Sequence, residues 1–303
     1  MRVALIVGIL ALAGLPALSG VAAQTPSTSP KVGLSRGTLI AVGGGMPADV
    51  MARFIALAGG PDAPIVAIPP SGTCILADGS QQVSDGCTAA GLVAGRPNTN
   101  NRPRQSAVKE TEALMRSFGA RNVTVIETYD RTVADTAAFV APLARASGFW
   151  APGGVPSTLM QAFGGTRTEQ ELRKLLERGG VIGGTSAGAM ILGSHFSLQL
   201  APMAEDVPVS TGFGFLRDVR VQPHSRGVEL FSREAASHPE RIILAVDERT
   251  AWEVHGDTAE VIGIGSAFVR DDGPATPGRS YLTLRAGDRY DLATRKVTRA
   301  AVN

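Results

Sequence analysis

From residue 38 onward the chain alternates short, unbroken apolar runs with amphipathic segments. The runs at 38–42, 65–69, 123–127, 148–151 and 181–183 read as strands buried on both faces, since a half-exposed strand would alternate polar and apolar positions. Between the first two, Val50, Phe54 and Leu57 recur at helical spacing after Pro47, and Gly59 stops the segment. Further helices are predicted at 106–118 and 133–146. Thr168-Glu169-Gln170-Glu171 reads as a capping box ahead of the stripe Leu172, Leu175, Leu176, which ends at Gly179-Gly180. This alternation predicts an α/β fold of the doubly covered kind, a mostly parallel sheet with helices on both faces. Beyond residue 218 the strands follow one another closely, at 219–222, 242–246, 260–264 and 281–284. The β-rich C-terminal part therefore either completes the sheet or forms an edge lobe. No internal repeat is visible.

The first residues follow a different pattern. Met1-Arg2 is a short basic start, residues 3–18 are almost wholly apolar, and Val21-Ala22-Ala23 puts small residues where a signal peptidase reads. Residues 1–23 are read as a signal peptide cleaved before Gln24, because the apolar run is shorter than the roughly 20 residues of a membrane span. Residues 24–37, rich in Ser, Thr and Pro, read as a flexible arm, and residues 38–303 as a single domain. Cleavage implies a periplasmic or secreted protein, with no membrane contact once the leader is gone. Cys74 and Cys87 are the only cysteines and share one polar stretch, 71–102. In an oxidising compartment the simplest expectation is a disulfide, on the order of 3 kcal/mol of stabilisation; two free thiols are the alternative. No histidine lies near them, so no metal site is expected.

Hydrophobic residues make up 44% of the chain and charged residues 18%, which excludes a disordered chain. A net charge of +2, with no basic block, gives no reason to expect nucleic acid as a partner.

Gly184-Thr185-Ser186-Ala187-Gly188 is a G-x-S-x-G pattern entered by an apolar strand and left by a small-residue helical segment. That is the setting of a nucleophile elbow, where a sharp turn lifts the serine hydroxyl clear of the sheet and puts the Ala187 N–H in reach of an oxyanion. A glycine-rich turn with an incidental serine is the competing interpretation. A serine nucleophile needs a base. Of the four histidines, His195 lies too near on the helix leaving the elbow, and His238 and His255 read as exposed loop residues. His224 follows a predicted strand and opens a loop, where catalytic groups gather. The acid stays open at this level: Asp247-Glu248 ends another strand, and Asp218, Glu205 and Asp206 compete. A second oxyanion donor would come from Gly153-Gly154-Val155, which reads equally well as a plain turn. Gly43-Gly44-Gly45 reads as a tight strand–helix turn, since no acid ends the following strand as a dinucleotide site would require.

Gly183-Gly184-Thr185-Ser186-Ala187-Gly188-Ala189 resembles the nucleophile motif of the cyanophycinase and aspartyl dipeptidase (dipeptidase E) family of serine peptidases. Residues 38–45, 65–69, 148–154, 212–216 and 287–292 are similar to other segments of that family, as is Ala245-Val246-Asp247-Glu248-Arg249-Thr250-Ala251. The resemblance implies a flavodoxin-like fold shared with class I glutamine amidotransferases. It also implies a triad of Ser186, His224 and Glu248, with an oxyanion hole from Ala187 and Gly154. The family's substrate-binding positions fall on Val155, Pro156, Gln222 and Arg226. Val155-Pro156 stands where relatives that hydrolyse cyanophycin carry Asp-Gln, and Gln222-Pro223-His224-Ser225 where they carry Asp-Gln-His-Phe.

Sequence alone thus predicts an exported serine hydrolase acting on a small peptide or polypeptide amide through an acyl-enzyme, without cofactor or metal. A homodimer is the one assembly left open. An esterase with the same elbow, or an inactive binding protein on this fold, is the alternative.

Overall fold

The computed structural model describes residues 32–71, 104–197, 209–225, 241–271 and 281–299, together with four two-residue strands between 74 and 97. In chain order the first elements are β1 (Thr38–Val42), α1 (Ala48–Leu57), β2 (Ile65–Ala67), and the short strands β3 (Cys74–Ile75), β4 (Gln81–Gln82), β5 (Leu92–Val93) and β6 (Arg96–Pro97). Then come α2 (Arg104–Ser117), β7 (Val123–Val125), α3 (Arg131–Ala134), α4 (Ala137–Arg145), β8 (Gly148–Ala151), α5 (Pro156–Phe163), α6 (Arg167–Glu177), β9 (Val181–Thr185) and α7 (Ala187–Met190). The chain continues as β10 (His195–Ser197), β11 (Val209–Thr211), β12 (Val219–Gln222), β13 (Ile242–Val246), β14 (Thr250–His255), β15 (Thr258–Gly263) and β16 (Ser266–Asp271). It closes with β17 (Leu282–Arg285), β18 (Arg289–Asp291) and β19 (Lys296–Arg299).

The main sheet has nine strands in the order β19-β18-β15-β14-β1-β9-β8-β2-β7. From β1 to β7 every neighbour is parallel, whereas β14, β15, β18 and β19 extend the other side as antiparallel strands. The unbroken apolar runs do what buried strands require. Leu39 and Ala41 of β1 point into one core with Phe149 of β8 and Leu172 of α6, while Ile40 and Val42 point into the other with Phe54 of α1 and Trp150. Each fully buried side chain of this size contributes about 1.5–3 kcal/mol.

The C-terminal strands split in two, which the apolar pattern could not decide. Alongside the antiparallel extension, β12, β13, β16 and β17 form a separate four-stranded sheet in which only β12 and β13 are parallel. Val219, Val221, Leu244 and Val269 of this second sheet pack into the first core, and the Trp252 indole N–H of β14 donates to the Ala245 carbonyl at 3.0 Å.

Several local expectations shift. The predicted helix at 133–146 is two helices, each with its own cap: Asp130 accepts from the Thr132 N–H and Thr136 from the Phe139 N–H. The cap of α6 sits two residues earlier than the Thr168 box. Thr166 accepts from the Thr168 N–H, and Glu169 reaches back to the Gly165 N–H at 2.7 Å. His195 is a buried residue of β10, not part of the helix leaving the elbow, because α7 ends at Met190. Of the arm read as flexible over 24–37, residues 32–34 are anchored: the Asp257 carboxylate accepts from the Val32 and Gly33 N–H groups, and Leu34 is buried. The leader at 1–23 and the side chains of Cys74 and Cys87 lie outside the described residues. Among those described, no helix is long and apolar enough to cross a membrane.

Candidate active site

The elbow is built by close approach of backbone to backbone. β9 enters and α7 leaves with Ser186 at φ 54° and ψ −118°, a left-handed conformation costing a side-chain-bearing residue about 1–3 kcal/mol. The strain is held by three bonds: the Ser186 N–H donates to the Val42 carbonyl at 3.1 Å, and the Ser186 carbonyl accepts from the Ala189 and Met190 N–H groups at 3.0 Å each. The flanking glycines are compulsory. A Cβ on Gly184 would lie 2.4 Å from the Gly188 backbone, and one on Gly188 would lie 1.9 Å from the Ala151 carbonyl oxygen of β8.

His224 and Glu248 come from the second sheet. His224 follows β12 at φ 56°, with its N–H on the Gly43 carbonyl at 3.2 Å. Glu248 follows β13, pairs with Gly44, and is held from its other side by the Arg249 N–H on the Gly44 carbonyl at 2.9 Å. The parallel pairing of β12 with β13 thus delivers both side chains to the end of β1, beside the elbow. His224 Nε2 lies 2.7 Å from Ser186 Oγ, and His224 Nδ1 lies 2.5 Å from Glu248 Oε1. Because a carboxylate only accepts, Nδ1 carries the proton and Nε2 is left to accept from the serine hydroxyl. The His224 and Glu248 side chains are 47% and 40% exposed. A pair so exposed stabilises a fold by about 0–1 kcal/mol at most, less than the strain at Ser186, so stability does not account for the arrangement.

The glycine run after β1 makes this geometry possible, a role its sequence did not disclose. A Cβ on Gly44 would fall 1.7 Å from a Glu248 carboxylate oxygen, and one on Gly43 would fall 2.1 Å from the Asp247 carbonyl oxygen. The Gly45 carbonyl accepts the Thr185 hydroxyl at 2.8 Å, tying the run to the elbow. Asp247, the other acid of the pair, turns toward β16, where it accepts from the Ser266 N–H at 3.4 Å. Burial pushes its carboxyl above the ordinary carboxylate range, Glu248 adds to the rise, and the Ser266 N–H opposes it. Asp218 is exposed in the turn before β12, and Glu205 and Asp206 lie outside the described residues.

Gly153 runs against the serine: a Cβ there would sit 3.2 Å from Ser186 Cβ. Gly154, at φ 132°, is exposed. Ala187 opens α7, and among the described residues neither its N–H nor that of Gly154 donates to the protein. Val155 caps α5, and its own N–H is engaged by Ser71. Pro156 is buried in the first turn of α5, a helix the sequence reading did not foresee although proline is favoured at that position. The Gln222 amide is occupied internally: it accepts from Arg220 at 2.6 Å and donates to the Pro223 carbonyl at 3.0 Å. Arg220 is itself buried, which lowers its guanidinium to about 10. Arg226 and His238 lie outside the described residues, and His255, at the exposed end of β14, donates to the Gly37 carbonyl at 2.8 Å. No cluster able to hold a metal ion occurs among the described residues.

The chain is similar to known proteins in family and in fold. The model of peptidase family S51 matches residues 99–262. A cyanophycinase of Synechococcus elongatus is 30% identical over 182 residues, 55% of this chain and 56% of that protein. A cyanophycinase of Geminocystis herdmanii is 26% identical over 168 residues, 52% and 62% respectively. The chain thus spans little more than half the length of the curated relatives it matches. The crystal structure of a peptidase from an acI-B1 actinobacterium superposes over 84% of this chain and 97% of that one, with a TM-score of 0.61 and 24% identity, and shares its fold.

Proposed function

The chain belongs to peptidase family S51, and from that membership we propose that it is a serine hydrolase of peptide-type amides, with Ser186 as nucleophile, His224 as base and Glu248 as the acid that orients it. The observation that carries this is the unbroken chain from Ser186 Oγ through His224 to Glu248, at 2.7 and 2.5 Å. In the proposed reaction His224 Nε2 takes the hydroxyl proton as Ser186 Oγ attacks the amide carbon. The Ala187 and Gly154 N–H groups receive the resulting oxyanion. Collapse breaks the C–N bond, the amine leaves with the proton from His224, and water repeats the sequence to free the acid and restore the serine. The chain order Ser, His, Glu supports a peptidase of this family over the α/β-hydrolase layout, in which the acid precedes the histidine.

We infer a pocket altered from that of the cyanophycin-degrading relatives. Pro156 is buried, and the half-buried Gln222 amide already binds Arg220 and Pro223. The leader read at residues 1–23 supports export, and an oxidising compartment would favour a Cys74–Cys87 disulfide. The test of the activity is a panel of dipeptides with β-aspartyl, α-aspartyl and neutral first residues, together with cyanophycin, offered to the wild type and to Ser186→Ala. Cleavage of at least one amide by the wild type and none by the variant is expected. Equal cleavage by both proteins, or none by the wild type, would contradict the proposal.

A further inference from the structure

Ser71 follows β2 and is 1% exposed, yet all its polar groups converge on one neighbouring segment. Its N–H donates to the Gly153 carbonyl at 3.1 Å, and its carbonyl accepts from the Val155 N–H at 3.1 Å. Its hydroxyl binds Val155 twice, accepting from the N–H at 2.8 Å and donating to the carbonyl at 3.1 Å. This is a one-residue parallel bridge, Ser71 against Gly154, closed by a side chain. The bridge uses the carbonyl of Gly153 and the N–H of Val155, so the intervening Gly154 N–H takes no part in it. On its other side the segment touches the elbow, since a Cβ on Gly153 would lie 3.2 Å from Ser186 Cβ. Gly154 is pressed onto Ser71 from above: at φ 132° a Cβ there would lie 2.0 Å from the Ser71 carbonyl oxygen and 2.4 Å from its hydroxyl.

We propose that Ser71 is a positioning residue for the oxyanion-binding backbone: by pinning Val155 through its hydroxyl and Gly153 through its N–H, it fixes the Gly154 N–H beside Ser186. A backbone donor stabilises developing charge only when it is held in place before the charge appears, and a loop peptide needs supporting hydrogen bonds to be held so. The free hydroxyl of a buried serine would otherwise be satisfied by any nearby acceptor; here it is spent on both backbone groups of a single residue next to the nucleophile. The inference rests on the serine-hydrolase reading and adds to it a residue outside the triad, contributed by the segment that follows β2.

The test is the reaction of Ser71→Ala with a fluorophosphonate, in which the Ser186 Oγ–P bond forms, fluoride leaves and the hydroxyl proton passes to His224. The phosphoryl oxygen takes the place of the oxyanion. Removing an oxyanion donor outright costs on the order of a hundredfold or more; loosening one is expected to lower the limiting rate of labelling about tenfold. The half-saturating probe concentration should stay within about twofold, and the pH dependence of the limiting rate should be unchanged, because the triad is untouched. A variant whose limiting rate matches wild type, or whose pH dependence moves with it, overturns the proposal. Should Ser71→Ala melt below the assay temperature, Ser71→Cys replaces it: its thiol is somewhat larger but fills the site and donates and accepts weakly, so an intermediate loss is expected and a wild-type rate overturns the proposal. Absence of labelling in the wild type would instead refute the hydrolase reading itself.

Discussion

A methyl group at position 44 would occupy the space now filled by the Glu248 carboxylate, 1.7 Å from its oxygen. Gly44→Ala is therefore expected to push the carboxylate off His224 while leaving every proposed catalytic side chain in the sequence. The expected result is a fall in limiting rate on the order of a hundredfold, with an unfolding temperature little changed, since the His224–Glu248 pair is too exposed to stabilise the fold. Parallel measurement of hydrolysis and thermal unfolding checks both halves. Glu248→Gln should cost at least as much rate, because an amide holds the imidazole less well and cannot stabilise its cation, whereas Asp247→Asn should cost far less, as that side chain faces Ser266. At this scale the serine was legible from five residues, and His224 from its place after a strand. The acid was not: five candidates stood level on spacing alone, because spacing says nothing of which loop approaches Gly44.

The elbow is the element whose sequence and geometry agree most closely. Gly184 and Gly188 flank the serine because strand and helix touch there, and Gly188 rests on the Ala151 carbonyl oxygen at a separation that admits no side chain. Gly188→Ala is expected to destabilise the protein by about 3 kcal/mol, since a backbone atom cannot rotate aside. Differential scanning calorimetry should show this as a drop of roughly 6 °C or more. The central parallel strands β1, β2, β8 and β9 were legible because both their faces are buried, whereas β7, at the edge of the sheet, exposes Thr124 and only half-buries its valines. β14 and β16 were not, because each mixes polar and apolar residues, with Glu253 of β14 turned out to Arg53 at 2.6 Å. Helix α5 was missed because its start looks like a glycine turn, and its cap is the backbone of Val155 with no side-chain bond.

Across the whole molecule, the proposed function depends on two sheets keeping their relation, for Ser186 stands on the first and His224 and Glu248 on the second. One clamp between them is Tyr290 of β18, fully buried, whose hydroxyl donates to Asp271 of β16 at 2.5 Å while Arg295 binds the other carboxylate oxygen at 2.7 Å. Tyr290→Phe should cost about 1–3 kcal/mol by leaving a buried acceptor short of a partner. Burial raises the Tyr290 hydroxyl above its ordinary value of 10.0, with the Asp271 hydrogen bond adding to the rise. Its folded form therefore holds the proton more tightly than its unfolded form. The resulting stability is intact below about pH 10 and declines as the pH climbs above it. Chemical denaturation across that range should show the decline in wild type and a shallower one in Tyr290→Phe. None of this clamp was visible in the sequence, where Asp271 and Tyr290 stand in segments of no evident relation.

In the proposed reaction an imidazole from the second sheet draws the proton from a hydroxyl on the first. Intact-protein mass spectrometry after fluorophosphonate treatment, with peptide mapping, tests it most directly. One adduct per chain, located on Ser186 and formed at least a hundredfold more slowly in His224→Ala, is the expected result. An adduct on another residue, or one on Ser186 that forms as fast without the His224 ring, would rule out proton transfer from Ser186 to His224.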